Sequence, residues 1–234
     1  MFEFYNQTVA YRKEFYCFKE LSELRNEFLK NQSSIEIHDL GAGSVVSSKK
    51  NRRISEIAKN SLQGQKSAEF LFKLVNFMQS SVIIELGTSL GLTTQYLAMA
   101  NTKSRIYTFE GCTQTLEFAD SYFKKNNIEN ITTVLGNINN SLSNFLSKLP
   151  SLDLVVFDAN HSYHSTLEYF QVCLEKIHND TVFIFDDIYW SPDMLKAWEQ
   201  IVQNTHVTIS VDFYDFGVVF FRKNQPKQHF ILKL

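Results

Sequence analysis

The sequence predicts an α/β fold: a mostly parallel sheet with helices on both faces, behind an N-terminal helical region. Three observations predict it. From Val82 onward, strand-like apolar runs alternate with helical patterns, the order that builds a parallel sheet with crossover helices. The first run, Val82-Ile83-Ile84, is apolar on both faces, as a strand buried between two helical layers must be. It turns through Gly87-Thr88-Ser89 into an apolar helix from Leu90 to about Ala100, with Gly91 at the junction. A strand, a small-residue loop and a helix in that order make a nucleotide-type site. Gly87 lets the backbone approach a ligand closely, and the helix N-terminus offers free N–H groups.

The elements follow in chain order. From about Thr8 to Lys30, Tyr11, Phe15, Phe18, Leu21, Leu24 and Phe28 recur at three- and four-residue steps, the apolar stripe of an amphipathic helix. That stripe is expected to pack on the main domain, or on a second subunit in a homodimer. Ile54 to about Met78 is a long helical pattern, and Gln63-Gly64-Gln65 is the place for it to split in two. Residues 1–80 thus read as a helical cap, and 81–234 as the core of one compact domain. In the core, further strands are expected at Arg105–Glu110, Ile131–Leu135, Leu152–Asp158 and Thr181–Asp186. Helices are expected at Thr115–Asn126, Leu142–Leu149, Ser165–His178 and Pro192–Asn204. Val207–Asp212 and Gly217–Phe221 close the sheet as an antiparallel hairpin, which makes seven strands. After the polar Gln225-Pro226-Lys227-Gln228, Phe230-Ile231-Leu232 is expected to pack back on the domain.

Composition bounds the function. A chain of 234 residues can bury a substantial core, and a net charge of -2 gives no global basic surface for nucleic acid. Met1-Phe2-Glu3-Phe4 lacks the features of a signal peptide, and no apolar stretch approaches the about 20 residues of a membrane span. Cys17, Cys112 and Cys173 are scattered and odd in number, against a disulfide framework or a Cys-based zinc site. A reducing cytoplasm fits best. The basic run Lys49-Lys50-Asn51-Arg52-Arg53 reads as a solvated loop, with a clamp for an anionic substrate as the sharper alternative.

Ligands of open α/β sheets sit beyond the carboxyl ends of the strands, so the strand ends carry the chemistry. The first strand ends in Glu85 and the glycine loop. The second ends in Glu110, after the apolar-rich Ile106-Tyr107-Thr108-Phe109, where a carboxylate can accept both hydroxyls of a ribose. The third ends at Gly136-Asn137, where Asn137 is either a partner for a base edge or a plain turn residue. The fourth ends in Asp158-Ala159-Asn160-His161-Ser162-Tyr163, and the fifth in Asp186-Asp187-Ile188-Tyr189-Trp190. Asp158, Asp186 and Asp187 therefore converge. Like charges so close raise one another's pKa unless a cation joins them, and hard oxygen donors suit Mg²⁺. His161, ordinarily titrating near pH ~6.5, suits a general base; otherwise it orders the loop.

The glycine loop fails the dinucleotide fingerprint G-x-G-x-x-G, because Ser89 and Leu92 stand where the second and third glycines belong. Glu85-Leu86-Gly87 followed by Gly91 instead resembles motif I of class I S-adenosylmethionine (SAM)-dependent methyltransferases, whose fold is Rossmann-like. Asp39-Leu40-Gly41-Ala42-Gly43 imitates that motif glycine for glycine. An alternating segment precedes it, however, and a polar loop follows, so it is expected as a turn near the site mouth. The resemblance implies strand order 3-2-1-4-5-7-6, with the N-terminal helices as a lid. It implies a cofactor held by Glu85, Gly87, Thr88, Ser89, Gly91, Glu110, Gly111, Asn137 and Asp158. Asp158, His161, Asp186 and Asp187 fall where catechol and caffeoyl-coenzyme A O-methyltransferases carry metal-binding acids and a base. Trp190 falls on a substrate-lining position, and Tyr163 is assigned to the acceptor with it. The implied function is methyl transfer from SAM to a hydroxyl of a small molecule, with Mg²⁺ or another divalent cation at Asp158, Asp186 and Asp187, and with Asp158 and His161 catalytic. Departures are His161 for the usual Lys, Asp187 for the usual Asn, and Gly111-Cys112 where relatives carry a residue stacked on adenine. The loop is closer to that of bacterial small-molecule and sugar O-methyltransferases. Two rivals remain: an NAD-dependent oxidoreductase, which the missing glycines disfavour, and a non-catalytic binding protein, which has no use for converging acids.

Overall fold

The sheet is organised on Val82–Leu86 (β3), five residues that are all buried. The computed structural model describes residues 1–37 and 51–234; the Asp39–Ser44 turn and Lys49-Lys50 lie outside them. Arg105–Glu110 (β4) and Leu154–Phe157 (β6) flank β3 in parallel, pairing Glu85 with Thr108 on one side and Val156 on the other. Ile131–Leu135 (β5) extends the sheet beyond β4, and Val182–Asp186 (β7) beyond β6. Phe216–Phe220 (β9) then pairs antiparallel with β7, and Ile209–Asp212 (β8) antiparallel with β9. Counted from β3, this is the expected order 3-2-1-4-5-7-6.

The sheet has eight strands, one more than expected. Gln228–Ile231 (β10) pairs parallel with the outer side of β8. The tail packs back as expected, Phe230 and Leu232 against the core, and its backbone also pairs: Gln228 N–H donates to the Thr208 carbonyl at 2.9 Å and Leu232 N–H to that of Asp212 at 2.8 Å. Its shortness hid the strand, four residues of which the first two are polar, at the edge of the sheet.

Alternation along the strands sorts the core into two layers. Ile84, Leu86, Val155, Phe157, Phe183 and Phe185 join one cluster, with Trp198 and Ile201 of Pro192–Gln203 (α9). Ile83, Leu154, Val156, Val182 and Ile184 join the other, with Phe70, Leu71, Leu74 and Val75 of Gln65–Met78 (α4). Phe157 and Phe185 stack at 4.4 Å between centroids and 16° between planes. Such a pair adds about 1 kcal/mol beyond its area burial.

The N-terminal residues build a third cluster. The chain opens with a short helix Phe2–Phe4 (α1) that passes into a π-helical turn, Tyr5–Val9. The helix expected from Thr8 begins only at Phe18 and runs Phe18–Lys30 (α2). Tyr11 and Phe15 precede it, and Phe15 packs across the gap on Phe72 of α4, 4.7 Å between centroids. Tertiary aromatic packing overrides the helical spacing there. Ser34–Glu36 (β1) and Asn51–Arg53 (β2) pair antiparallel, so the described part of the basic run is a strand. Ile54–Ser61 (α3) and α4 divide at residues 62–64, as the Gln63-Gly64-Gln65 interruption predicts. Phe18, Leu21, Leu24 and Phe28 of α2, with Ile54 and Ile57 of α3, pack on Leu92 and Tyr96 of Leu92–Ala100 (α5), the helix that follows the glycine loop. Thr113–Lys125 (α6), Ile138–Leu146 (α7) and Tyr163–Leu174 (α8) follow β4, β5 and β6. No helix among the described residues is long and apolar enough to cross a membrane.

Candidate active site

The site is built at the carboxyl ends of β3, β4, β6 and β7. Glu85 is wholly buried at the end of β3. Its Oε2 accepts the hydroxyls of Thr94 at 2.5 Å and Thr108 at 2.6 Å, and Oε1 is buried with no partner. Burial pushes its pKa up to about 7, against the two threonine hydrogen bonds. A carboxylate with one idle oxygen in a buried site is the arrangement that receives a ligand ammonium.

The loop after Glu85 is fixed from both sides. Gly87 N–H and Thr88 N–H both donate to the Phe109 carbonyl at 3.0 Å, and the buried Thr88 hydroxyl meets that of Thr108 at 2.6 Å. Gly87 has φ +105°, and a Cβ there would lie 2.0 Å from the Asp158 carbonyl oxygen, so only glycine allows β3's loop to lie against β6's. Gly91 caps α5, its carbonyl accepting Gln95 N–H at 3.2 Å. Ser89 N–H and Cys112 N–H each donate to Glu110 at 2.9 Å, one to each oxygen, across the half-buried Gly111. Glu110 is thus held as a carboxylate at the end of β4, facing the glycine loop. Beyond Glu110 the space is open: nothing lies within 4 Å of the Cβ position at Gly136. Asn137 N-caps α7, with Oδ1 accepting Asn139 N–H at 3.0 Å.

The acids of β6 and β7 meet around an imidazole. His161 Nε2 stands 3.4 Å from Asp158 Oδ1 and 3.7 Å from Asp187 Oδ2, while Nδ1 is buried with no partner. Asp158 and Asp186 lie close enough for each to act on the other's ionisation, and the Gln63 amide donates to Asp186 Oδ1 at 2.8 Å. Burial, then the neighbouring acids, holds Asp158 well above the usual carboxylate range. Burial and Asp187 raise Asp186, and burial raises Asp187 with His161 opposing. Burial lowers the His161 pKa against the pull of Asp187. Among the described residues no group of three or more His, Cys, Asp or Glu side chains is gathered to hold a metal ion. The three aspartates converge as the sequence suggests, with the Gln63 amide on Asp186 Oδ1 and the His161 imidazole between Asp158 and Asp187.

Trp190 is half exposed, its ring 6.0 Å from that of His161, at the mouth of the site. Tyr163 is turned to α9: its hydroxyl donates to Gln200, and Lys196 lies over its ring at 4.7 Å. Sequence reading missed the residues that hold the acids. Thr108 hid inside an apolar strand, where only its register opposite Glu85 marks it. Thr94 hid in an apolar helix, and Gln63 in what reads as a helix break.

Residues 84–188 match the family described as "Methyltransferase domain". No curated protein matches the chain in sequence. Solved structures do share the fold. The O-methyltransferase TomG of Streptomyces achromogenes, in complex with SAM, is 18% identical at TM-score 0.65, covering 92% of this chain and 93% of its own. The Bacillus cereus O-methyltransferase in complex with SAH is 17% identical at TM-score 0.64, covering 93% and 99%. An SAH-bound methyltransferase of Podospora anserina is 13% identical at TM-score 0.61, covering 91% and 99%. The matched segment spans β3 to the loop after β7, and with β3 at the centre of a 3-2-1-4-5-7-6 sheet the chain has the fold of these methyltransferase structures.

Proposed function

We propose that the protein transfers the methyl group of SAM to a hydroxyl of a small molecule, with His161 as the base. The residues fit SAM. Glu85 offers an idle buried oxygen to the ammonium, Glu110 brings its carboxylate beside the glycine loop to the ribose, and the space at Gly136 is open for the base, with the Asn137 amide beside it. Bound SAM supplies an electrophilic methyl on a sulfonium.

One observation carries the proposed chemistry: the His161 imidazole is held by acids through Nε2 and leaves Nδ1 buried and unpartnered. The acids at Nε2 favour the tautomer that keeps its proton there. Nδ1 then takes the proton of the acceptor hydroxyl, and the resulting charge is stabilised by Asp158 and Asp187. Gln63 holds Asp186 in place. Trp190 gives the acceptor a wall. Among the described residues no three acid or histidine side chains are gathered as a site for the expected Mg²⁺, and no step is routed through it. The three cysteines are buried and none is in a disulfide among the described residues, which suits a reducing compartment.

The test is methyl-labelled SAM with pooled phenols, catechols, sugars, carboxylic acids and amines. Label on a hydroxyl oxygen, lost in His161→Gln, is the expected result. Label confined to nitrogen, or transfer indifferent to His161→Gln, would overturn the reading.

A further inference from the structure

SAM and S-adenosylhomocysteine (SAH) end in an amino-acid zwitterion, and a role for Arg25 at that end rests on the proposed function, in which they bind here. Glu85 answers the ammonium. The carboxylate needs donors of its own, and the glycine-loop residues supply no cation. Arg25 of α2 donates through Nη2 to the main-chain oxygen of Gln63, whose side chain holds Asp186. The guanidinium therefore stands one residue from the acid cluster. Its Nε is buried with no hydrogen-bond partner, and Arg25 makes no ion pair among the described residues. Tyr96 of α5 is wholly buried, and its hydroxyl has no partner either. Arg25 and Tyr96 are close enough for each to act on the other's charge, as Glu69 does on both from beyond ion-pair reach.

Tyr96 lies one turn after Leu92, on the same face of α5, and helical side chains lean toward the N-terminus. That N-terminus is reached directly from the glycine loop and carries free N–H groups. A half-buried cation with an idle buried Nε and a wholly buried phenol with an idle hydroxyl are costly to desolvate, and a carboxylate accepting from both recovers that cost. We propose that Arg25 and Tyr96 seat the carboxylate of the cofactor's amino-acid end. The N-terminal helices then take part in cofactor binding directly, through α2.

The experiment is calorimetric titration of the full chain with SAH and with 5′-methylthioadenosine, which has the nucleoside and sulfur but no amino acid. Arg25→Met is expected to weaken SAH binding about 30-fold, and Tyr96→Phe about fivefold, the size of charge-assisted and neutral hydrogen bonds. Methylthioadenosine affinity should stay within about twofold of wild type in both, which also reports a folded site. Unchanged SAH affinity in Arg25→Met, or equal losses for both ligands, overturns the assignment while leaving the methyltransferase reading intact. A wild-type chain that binds neither ligand overturns both.

Discussion

Replacing Gly87 with alanine should destabilise the fold and displace the acid cluster with one methyl group. Two costs can be worked from the structure. Gly87 sits at φ +105°, where an L side chain stores about 1–3 kcal/mol of backbone strain. The added Cβ would also lie 2.0 Å from the Asp158 carbonyl oxygen and 2.8 Å from its carbon. Backbone cannot rotate away as a flexible side chain does, so the loop after β6 must shift, at about 1–3 kcal/mol more for overpacking. The sum, about 2–6 kcal/mol, lowers Tm by about 4–24 °C for a domain of this size. Gly136→Ala is the control. It is also left-handed, at φ +132°, but nothing lies within 4 Å of its Cβ, so it bears the strain alone. Scanning calorimetry of both variants, with SAH titration of each, gives the comparison. Gly87→Ala should melt below Gly136→Ala and bind SAH more weakly than wild type. A Gly87→Ala protein that melts within about 2 °C of wild type and binds SAH normally would refute the contact between the two loops.

Three further outcomes are expected. Glu85 titrates near 7 in the free protein, above its ordinary 4.5, because burial disfavours the charge. It therefore contributes stability at low pH that is lost as pH rises through 7, whereas SAH affinity should fall as pH drops below 7, by up to about tenfold per unit, since a neutral carboxyl cannot pair with the ammonium; titrations at pH 8 and 6 check the sign, with methylthioadenosine as the pH-insensitive comparison. Glu110→Gln should weaken both ligands alike by about tenfold to a hundredfold, because it removes the charge that the Ser89 and Cys112 N–H groups and the ribose share. His161→Gln should cut turnover about 10²- to 10⁴-fold, with SAH affinity unchanged, as loss of a base rather than of a binding group.

Much of the fold was legible because the strand signal was strong: β3, β6 and β7 are nearly uninterrupted apolar runs that could be buried only in the middle of a parallel sheet. The split of the Ile54–Met78 pattern was legible from one Gly between two Gln. Elements at the periphery were not. The segment ahead of α2 keeps helical spacing but makes its contacts through rings such as Phe15 on Phe72, and the apolar tail announces that it packs back but not that its main chain pairs as a strand. In the site, Glu85, Glu110, Asp158, Asp186, Asp187 and His161 could be read as strand-end residues, since topology alone brings strand ends together. Their state could not. The aspartates read as cation ligands, yet Gln63 from the N-terminal region and the His161 imidazole engage them, and no pattern in β6 or β7 shows that. Tyr163 likewise sits in the right loop but is drawn to Gln200 and Lys196.

The most direct test of the account is calorimetric titration of SAM into the purified protein, first with Mg²⁺ and then with EDTA. The arrangement of Glu85, the glycine loop and Glu110 predicts micromolar binding that is the same in both conditions and is lost in Glu110→Ala. No binding in either condition would contradict the cofactor assignment, and with it the methyltransferase function built on it.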